Sequence, residues 1–162
     1  MSLIFVDVEA FGGAPSVGKM TEFGAVEYET RETFHGVIWK SSPDPGNPAI
    51  PLPTDMAVAD PAEVFREFDS WLQRFKAPYV FVSDNNGFDW QWINDGFWKY
   101  LGRNPFGHSS RRIADFYAGL REDFYIPSRE WKRLRRTVHD HNPVNDAMGN
   151  VEAFERMLNG ER

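Results

Sequence analysis

The stretch Leu3-Ile4-Phe5-Val6-Asp7-Val8-Glu9 decides the fold, because it is a nearly continuous apolar run that ends in two carboxylates. A short apolar run of this kind predicts a buried central strand from Leu3 to Val8. Side chains two residues apart in a strand point to the same face, so Asp7 and Glu9 are expected to project together from its end. Adjacent carboxylates in a partly buried place repel each other unless a cation joins them, and carboxylate oxygens suit Mg²⁺ or Mn²⁺. An exposed strand end is the structural alternative.

Around this strand, hydrophobic periodicity and turn residues predict an α/β fold on a mixed sheet. Two helix starts are marked by an N-cap residue followed by proline, at Asp60 and at Asn142. The proline-rich segment from Ser41 to Pro53 is interpreted as a surface loop. The other predicted strands are Glu22 to Glu29, Thr33 to Lys40, Tyr79 to Val82 and Ser109 to Ile113, and the other predicted helices are Asp89 to Leu101, Asp115 to Leu120 and Arg129 to Arg136.

The composition favours one packed domain covering residues 1–162. The hydrophobic fraction of 41% and the aromatic fraction of 15% are typical of a folded protein and not of a disordered chain. The chain has no cysteine, which excludes disulfides, zinc–thiolate sites and thiol catalysis. The N-terminus lacks the basic region of a signal peptide, and no apolar run is long enough to span a membrane, so a cytoplasmic location is expected.

The charge is unevenly distributed along the chain. The net charge of −6 argues against a general nucleic-acid coat protein, which is usually basic. Eight basic and four acidic residues lie between Arg111 and Arg136, so this segment carries +4 and the rest of the chain carries −10. Such a distribution suits an enzyme that holds cations in a carboxylate cluster and grips a few phosphates beside it. A solvated helix face explains any single arginine equally well.

Two further groups of polar residues occur where the predicted pattern changes from strand or loop to helix. The turn from Ser83 to Asp89 follows a buried strand, which places its side chains at the carboxyl edge of the sheet. His141 precedes the last helix, and Asp146 lies in that helix's first turn. The start of this helix is therefore expected to present both an imidazole and a carboxylate to one cleft. An imidazole is suited to proton transfer near neutral pH. The structural alternative for Asp89 is a simple helix cap. His108 and His139 are interpreted as ordinary surface histidines.

Taken together, the three motifs resemble those of the DEDDh family of 3′–5′ exonucleases. Asp7-Val8-Glu9-Ala10-Phe11-Gly12 is similar to the family's first motif, Asp-x-Glu-x-x-Gly, and Asn85 to Asp89 is similar to the second. His141, four intervening residues and Asp146 resemble the third motif of the histidine subclass. The resemblance covers nearly the whole chain, but Asp84 stands where the family commonly has histidine. It implies a ribonuclease-H-like fold with a mixed five-stranded sheet flanked by helices.

The resemblance also implies a mechanism with two divalent metal ions, Mg²⁺ or Mn²⁺, about 3.5–4 Å apart. Asp7 would bridge both ions, Glu9 and Asp146 would complete one site, and Asp89 would act through water at the other. His141 would be the general base that takes the proton of the attacking water. The expected products are nucleoside 5′-monophosphates released from a free 3′ end.

The expected partner is therefore a single-stranded nucleic acid with a free 3′ end, and members of this size often form homodimers. Gly12 and Asn85 belong to the motifs that would hold the terminal nucleotide, and Phe11 and Phe88 are candidates for base stacking. A core position is an equally good explanation of Phe88. RNA is slightly favoured over DNA, because the chain shows no polymerase or helicase module. The alternatives are a DNA exonuclease for repair or defence and a catalytically silent nucleic-acid-binding domain.

Overall fold

The computed structural model describes the backbone of residues 1–43 and 51–161, and the side chains of residues 1–39 and 57–161. The strands are β1 (Ser2–Phe11), β2 (Lys19–Glu27), β3 (Thr33–Val37), β4 (Trp39–Pro43), β5 (Pro51–Ala57), β6 (Tyr79–Ser83) and β7 (Ser110–Arg112). The helices are α1 (Pro61–Leu72), α2 (Asn86–Leu101), α3 (Ile113–Arg121), α4 (Arg129–Lys132) and α5 (Pro143–Leu158). No helix in this part of the chain is long and apolar enough to cross a membrane.

A mixed five-stranded sheet in the order β3-β2-β1-β6-β7 forms the centre of the fold. Strands β1, β2 and β3 form an antiparallel meander, whereas β6 and β7 run parallel to β1. The predicted α/β class and the mixed five-stranded sheet are therefore confirmed. The apolar run Leu3 to Val8 lies within β1, the middle strand, which pairs with β2 on one side and with β6 on the other.

Both faces of the sheet are covered by helices, as the alternation of side chains along β1 requires. One face packs Ile4 and Val6 with a largely aromatic cluster, in which Phe68 of α1 contacts Phe97 of α2. The opposite face packs Phe5 under α3 and α5. Apolar side chains of β1 are thus buried on both faces of the sheet, which holds the strand that carries Asp7 and Glu9 in the core of the fold.

The segment from Ser41 to Pro53 differs from the predicted loop. Its two ends form the antiparallel strands β4 and β5, which make a separate two-stranded sheet, and residues 44–50 lie outside the described part. The prediction of a loop rested on the prolines, but Pro43 and Pro51 are paired in this hairpin. A strand that lacks a second neighbour tolerates proline, since the missing N–H has no ladder partner to lose.

Two helices also differ in length from their predictions. Helix α2 begins at Asn86, so Asp89 lies inside its first turn and is not the cap. Helix α4 ends at Lys132, where a helix to Arg136 was predicted. There the chain turns, with Leu134 N–H bonded to the carbonyl of Trp131, and this turn buries both side chains.

Candidate active site

Strand β1 places the first two carboxylates side by side on one face of the sheet. Asp7 pairs in register with Gly24 of β2, and Glu9 pairs with Glu22. A register shift follows directly after Glu9, where a bulge turns the strand before the exposed Phe11. Both carboxylates are half-buried. The pair is therefore neither fully solvated nor an ordinary exposed strand end.

The third carboxylate, Asp146, comes from the first turn of α5. Asn142 caps this helix by accepting hydrogen bonds from the N–H groups of Val144 and Asn145, and Pro143 occupies the first position. The helix start lies directly against the sheet, since a Cβ on Gly24 would be 2.3 Å from the carbonyl carbon of Pro143. This contact brings Asp146, with 1% of its side chain exposed, up to the carboxylates of β1.

The fourth carboxylate, Asp89, lies in the first turn of α2 and is buried. Its Oδ1 accepts a hydrogen bond of 3.2 Å from the backbone N–H of Val8, the residue between the two carboxylates of β1. Burial raises the pKa of Asp89 to about 7, although the Val8 N–H opposes this shift. Asp89 is thus tied to the motif on β1, which a simple helix cap would not be.

The carboxylates form a crowded group of like charges. Oxygen atoms of Asp7, Glu9 and Asp146 all lie within 4.8 Å of one another. Burial, followed by the charges of Asp146 and Glu22, raises the pKa of Glu9 to about 8. Burial and the charge of Asp89 are the largest causes that hold the pKa of Asp7 well above its usual range. Such shifts mean that the fully ionised group is unfavourable without a positive charge.

This donor set fits divalent metal ions. Oδ2 of Asp89 and Oδ1 of Asp146 are buried and accept no hydrogen bond within the described residues. Buried acceptors of this kind carry a desolvation cost that a coordinated cation removes. The donors are all carboxylate oxygens, which suit hard cations such as Mg²⁺ and Mn²⁺.

Two histidines, not one, border the carboxylates. His141 Nδ1 lies 3.7 Å from Glu9 Oε1, and 45% of its side chain is exposed. His139 Nδ1 lies 2.7 Å from Asp146 Oδ2, and its ring centroid is 4.4 Å from that of His141. The interpretation of His139 as an ordinary surface histidine is therefore wrong, although half of its side chain is exposed. The spacing His139-x-His141 was its only signal in the sequence.

The loop that carries both histidines is held at its two ends. Glu152 of α5 accepts hydrogen bonds from the N–H groups of Arg136 and Thr137 and from the Thr137 hydroxyl. Although burial opposes them, these bonds hold the pKa of Glu152 below its usual range.

At the other end of the loop, Asp140 accepts hydrogen bonds from the N–H of Asn142 and from the side chain of Asn145. His141 itself has a positive φ of 60°, a backbone conformation that is uncommon for residues other than glycine.

Asp84, the departure from the family motif, faces positive charges. Its Oδ2 lies 2.6 Å from Lys132 Nζ and 3.4 Å from Arg135 Nη2. The Arg135 guanidinium is nearly buried, bonds Asn150 as well, and lowers the pKa of Asp7. Asp84 is therefore paired with cations from the segment Arg111 to Arg136, and it lies outside the groups of candidate metal ligands found among the described residues.

The residues expected to bind substrate lie at the rim. Phe11 is 41% exposed, and Gly12 has a positive φ of 89° in the turn after it. Asn85 is exposed at the start of α2 and makes no side-chain cap bond. Phe88 is half-buried and packs edge-on against Trp92, with the two ring centroids 6.0 Å apart. This packing agrees with the alternative that Phe88 is a core residue.

No family model matches the chain. The chain is 30% identical over 166 residues to the 3′–5′ DNA exonuclease Cap18 of Escherichia coli, in a match that covers 93% of this chain and 88% of that protein. The chain belongs to the DEDDh family of 3′–5′ exonucleases.

Solved structures of exonucleases share the fold at low sequence identity. The nuclease domain of 3′hExo, a DEDDh family member bound to rAMP, matches with a TM-score of 0.66 and 16% identity over 98% of this chain and 91% of that one. The zinc-bound complex of E. coli exonuclease I with single-stranded DNA matches with a TM-score of 0.60 and 19% identity. The match covers 97% of this chain and 39% of the exonuclease I chain. This exonuclease chain therefore spans about two fifths of exonuclease I. The ribonuclease-H-like fold is confirmed.

Proposed function

We propose that this DEDDh exonuclease degrades single-stranded DNA from a free 3′ end and releases nucleoside 5′-monophosphates. The observation that carries the proposal is the convergence of Asp7, Glu9 and Asp146 within 4.8 Å, with Asp89 bonded to Val8 beside them. A catalytically silent binding domain has no need of this group, in which burial and then the neighbouring carboxylate charges raise the pKa of Asp7 and Glu9.

The four carboxylates would hold two divalent cations, for which we propose Mg²⁺. When bound, the ions stabilise the attacking and the leaving oxygen of an in-line displacement at phosphorus. Asp7 would hold the cations together with Glu9, Asp89 and Asp146, whose charges all raise its pKa in addition to burial. The protein contributes a fixed oxygen cage, held by β1, α2 and α5.

His141 would act as the general base. Its imidazole borders the carboxylates and remains 45% exposed, so it can reach a water molecule that enters from solvent. The anchored loop limits its movement, because Asp140 and Glu152 bind the backbone on either side. His141 would take the proton of the attacking water, which then forms the new bond to phosphorus as the 3′ oxygen of the penultimate nucleotide leaves.

Phe11, Gly12 and Asn85 would receive the terminal nucleotide. The exposed Phe11 ring offers a stacking surface, and stacking on an aromatic ring is worth about 1–3 kcal/mol for a base of any sequence. Phe88 would support this surface from below through Trp92. A cavity of about 250 Å³ beside His139 is lined by Lys132, Arg135 and Arg136, which would attract the phosphates of the incoming strand.

DNA is proposed in place of the slightly favoured RNA on the basis of the relatives. Cap18 is a 3′–5′ DNA exonuclease, and an exonuclease I of the same fold is complexed with single-stranded DNA. The 3′hExo domain is bound to rAMP, which keeps RNA as the second candidate.

The deciding experiment incubates the purified chain with 5′-labelled DNA and RNA oligonucleotides of one sequence, with Mg²⁺, with Mn²⁺ and with a chelator. We expect stepwise shortening of the DNA that requires the metal and stops when the 3′ end carries a phosphate. The Asp7→Asn variant is the matched inactive control. Faster shortening of the RNA would replace the proposed substrate, whereas cleavage of a circular DNA would contradict the exonuclease polarity.

A further inference from the structure

A second cluster of potential metal ligands adjoins the carboxylate group. Ring nitrogens of His139 and His141 and a carboxylate oxygen of Asp146 all lie within 4.8 Å of one another. The cluster has a different composition from the carboxylate group, since two of its three donors are imidazole nitrogens. It shares one residue, Asp146, with that group.

Asp146 makes this cluster more than a chance grouping of surface side chains. Its carboxylate is 1% exposed, and its Oδ1 is a buried acceptor without a hydrogen bond. The buried carboxylate thus lies beside the two imidazoles and has an oxygen free to coordinate a metal ion. Asp146 is fixed by the first turn of α5, and the histidines are fixed by a loop that Glu152 and Asp140 anchor.

We propose that His139, His141 and Asp146 form an inhibitory binding site for a transition-metal ion, with Zn²⁺ as the best fit. Imidazole nitrogen suits Zn²⁺, whereas Mg²⁺ prefers oxygen donors, so the second site selects a different class of metal from the carboxylate group. Three protein ligands also match the number that zinc commonly takes while one position stays open. The inference rests on the proposed function in one respect, because inhibition requires that His141 and Asp146 serve the nuclease reaction.

The contact between His139 and Asp146 requires little rearrangement. His139 Nδ1 and Asp146 Oδ2 lie 2.7 Å apart. Two ligand atoms on a tetrahedral zinc ion are about 3.3 Å apart, since their bonds to the metal are about 2.0–2.1 Å long. The two atoms would separate by about 0.6 Å as the ion replaced their direct contact. The exposed imidazoles can make this adjustment by small side-chain rotations, because neither ring is packed in the core.

Occupation of this site would stop the reaction in two ways. The ion would take the lone pair of His141, so this residue could no longer accept a proton. It would also claim an oxygen of Asp146, which the carboxylate group needs for its own cations. Because Asp146 belongs to both sites, excess Mg²⁺ should weaken zinc binding without abolishing it.

The test measures zinc binding directly, by competition with a chromophoric chelator in excess Mg²⁺. We expect the unchanged chain to bind one Zn²⁺ and the His139→Ala variant to bind it at least about tenfold more weakly, as expected when a metal site loses a contributing residue. His108→Ala is the matched control, since it also removes a histidine but from outside the cluster. Its zinc affinity should equal that of the unchanged chain. Equal affinity in the His139→Ala variant would overturn the site.

Two further readouts separate the site from the proposed function. Co²⁺ in place of Zn²⁺ should give visible absorption bands typical of nitrogen ligation in the unchanged chain, and these bands should be lost in His139→Ala. The zinc concentration that halves nuclease activity should be higher for His139→Ala than for the unchanged chain. Each activity is compared with the zinc-free rate of the same protein. Zinc binding without inhibition would overturn the inhibitory role. Zinc binding by a chain with no nuclease activity would contradict the proposed function and leave the site intact.

Discussion

Gly24 of β2 lies so close to Pro143 of α5 that a single methyl group does not fit between the two backbones. A Cβ at Gly24 would stand 2.3 Å from the Pro143 carbonyl carbon and 2.4 Å from the Val144 nitrogen. Gly24 is also the register partner of Asp7. The same glycine therefore sets the distance between the strand that carries Asp7 and the helix that carries Asp146.

Gly24→Ala should consequently impair both stability and catalysis. The obstructing atoms belong to backbone, so α5 has to move, and overpacking of this kind costs about 1–3 kcal/mol in the free energy of unfolding. Chemical denaturation and the rate of nucleotide release measure the two effects. Gly119→Ala is the matched control, since a Cβ there meets nothing within 4 Å and the residue lies in α3. The control should keep its activity and gain about 0.5–1 kcal/mol of stability. Full activity in Gly24→Ala would show that the helix start can shift without consequence.

The metal-free protein should lose stability as the pH rises. The pKa of Glu9 is raised from 4.5 to about 8, so the folded chain binds more protons than the unfolded chain between these two values. The free energy of unfolding therefore falls through this range, and the raised pKa values of Asp7 and Asp89 act in the same direction. Melting temperatures in a chelator should be highest at the acidic end of the range and lowest above about pH 8. Excess Mg²⁺ should flatten this dependence by offsetting the repulsion.

Glu9→Gln tests the cause of that dependence. The amide carries no charge, so the metal-free variant should melt higher than the unchanged chain above about pH 8 and show a shallower slope. Glu67→Gln, on the exposed face of α1, is the control and should leave the slope unaltered. If the pH dependence of the melting temperature were unchanged in Glu9→Gln, groups other than Glu9 would be its cause.

Asp84→Ala should destabilise the fold more than the loss of an ordinary surface charge. Arg135 is 8% exposed, and its guanidinium contacts the carboxylate of Asp84 and the side-chain oxygen of Asn150. The substitution removes the first of these two contacts. Loss of a charged hydrogen-bond partner in such a place costs about 1.5–3 kcal/mol. Arg103→Ala breaks the ion pair with Asp69 at the surface and should cost only about 0–1 kcal/mol. Urea denaturation of both variants decides the comparison, and equal costs would mean that solvent replaces Asp84 at Arg135.

The carboxylate group was accessible from the sequence because strand parity and helix phase are local rules. Asp7 and Glu9 had to share a face of β1, and Asn142-Pro143 had to begin the helix that carries Asp146. Local pattern thus predicted the mixed sheet and its central strand. The convergence of Asp7, Glu9 and Asp146 was implied by the resemblance of the three ordered motifs to the exonuclease family.

His139 and the β4–β5 hairpin were missed because no local rule describes them. The position of His139 depends on the positive φ of His141 and on bonds from Glu152, which is distant in sequence. The hairpin pairs Pro43 with Pro51, and prolines ordinarily argue against strands. In both cases a tertiary contact overrides what the neighbouring residues favour.

His141→Gly should slow nucleotide release by about 10²–10⁴-fold, the usual contribution of a general base. Glycine is the suitable replacement, because His141 has a φ of 60° that glycine adopts without strain. The substitution also leaves an open space at a position that is 45% exposed. Added imidazole should enter this space and restore part of the rate, which a purely structural histidine would not permit. Single-turnover rates with and without imidazole are the measurement.

The neighbouring His139 is not a suitable control for His141→Gly. His139 is two residues away but contacts Asp146, so its removal affects the same site. His108 lies outside both groups of candidate ligands, and His108→Gly should keep the full rate with no response to imidazole. Oligonucleotide affinity should change little in His141→Gly, because the fall belongs to the chemical step and not to binding. An unchanged rate in His141→Gly would remove it as the base and make His139, which contacts Asp146 directly, the residue to test next.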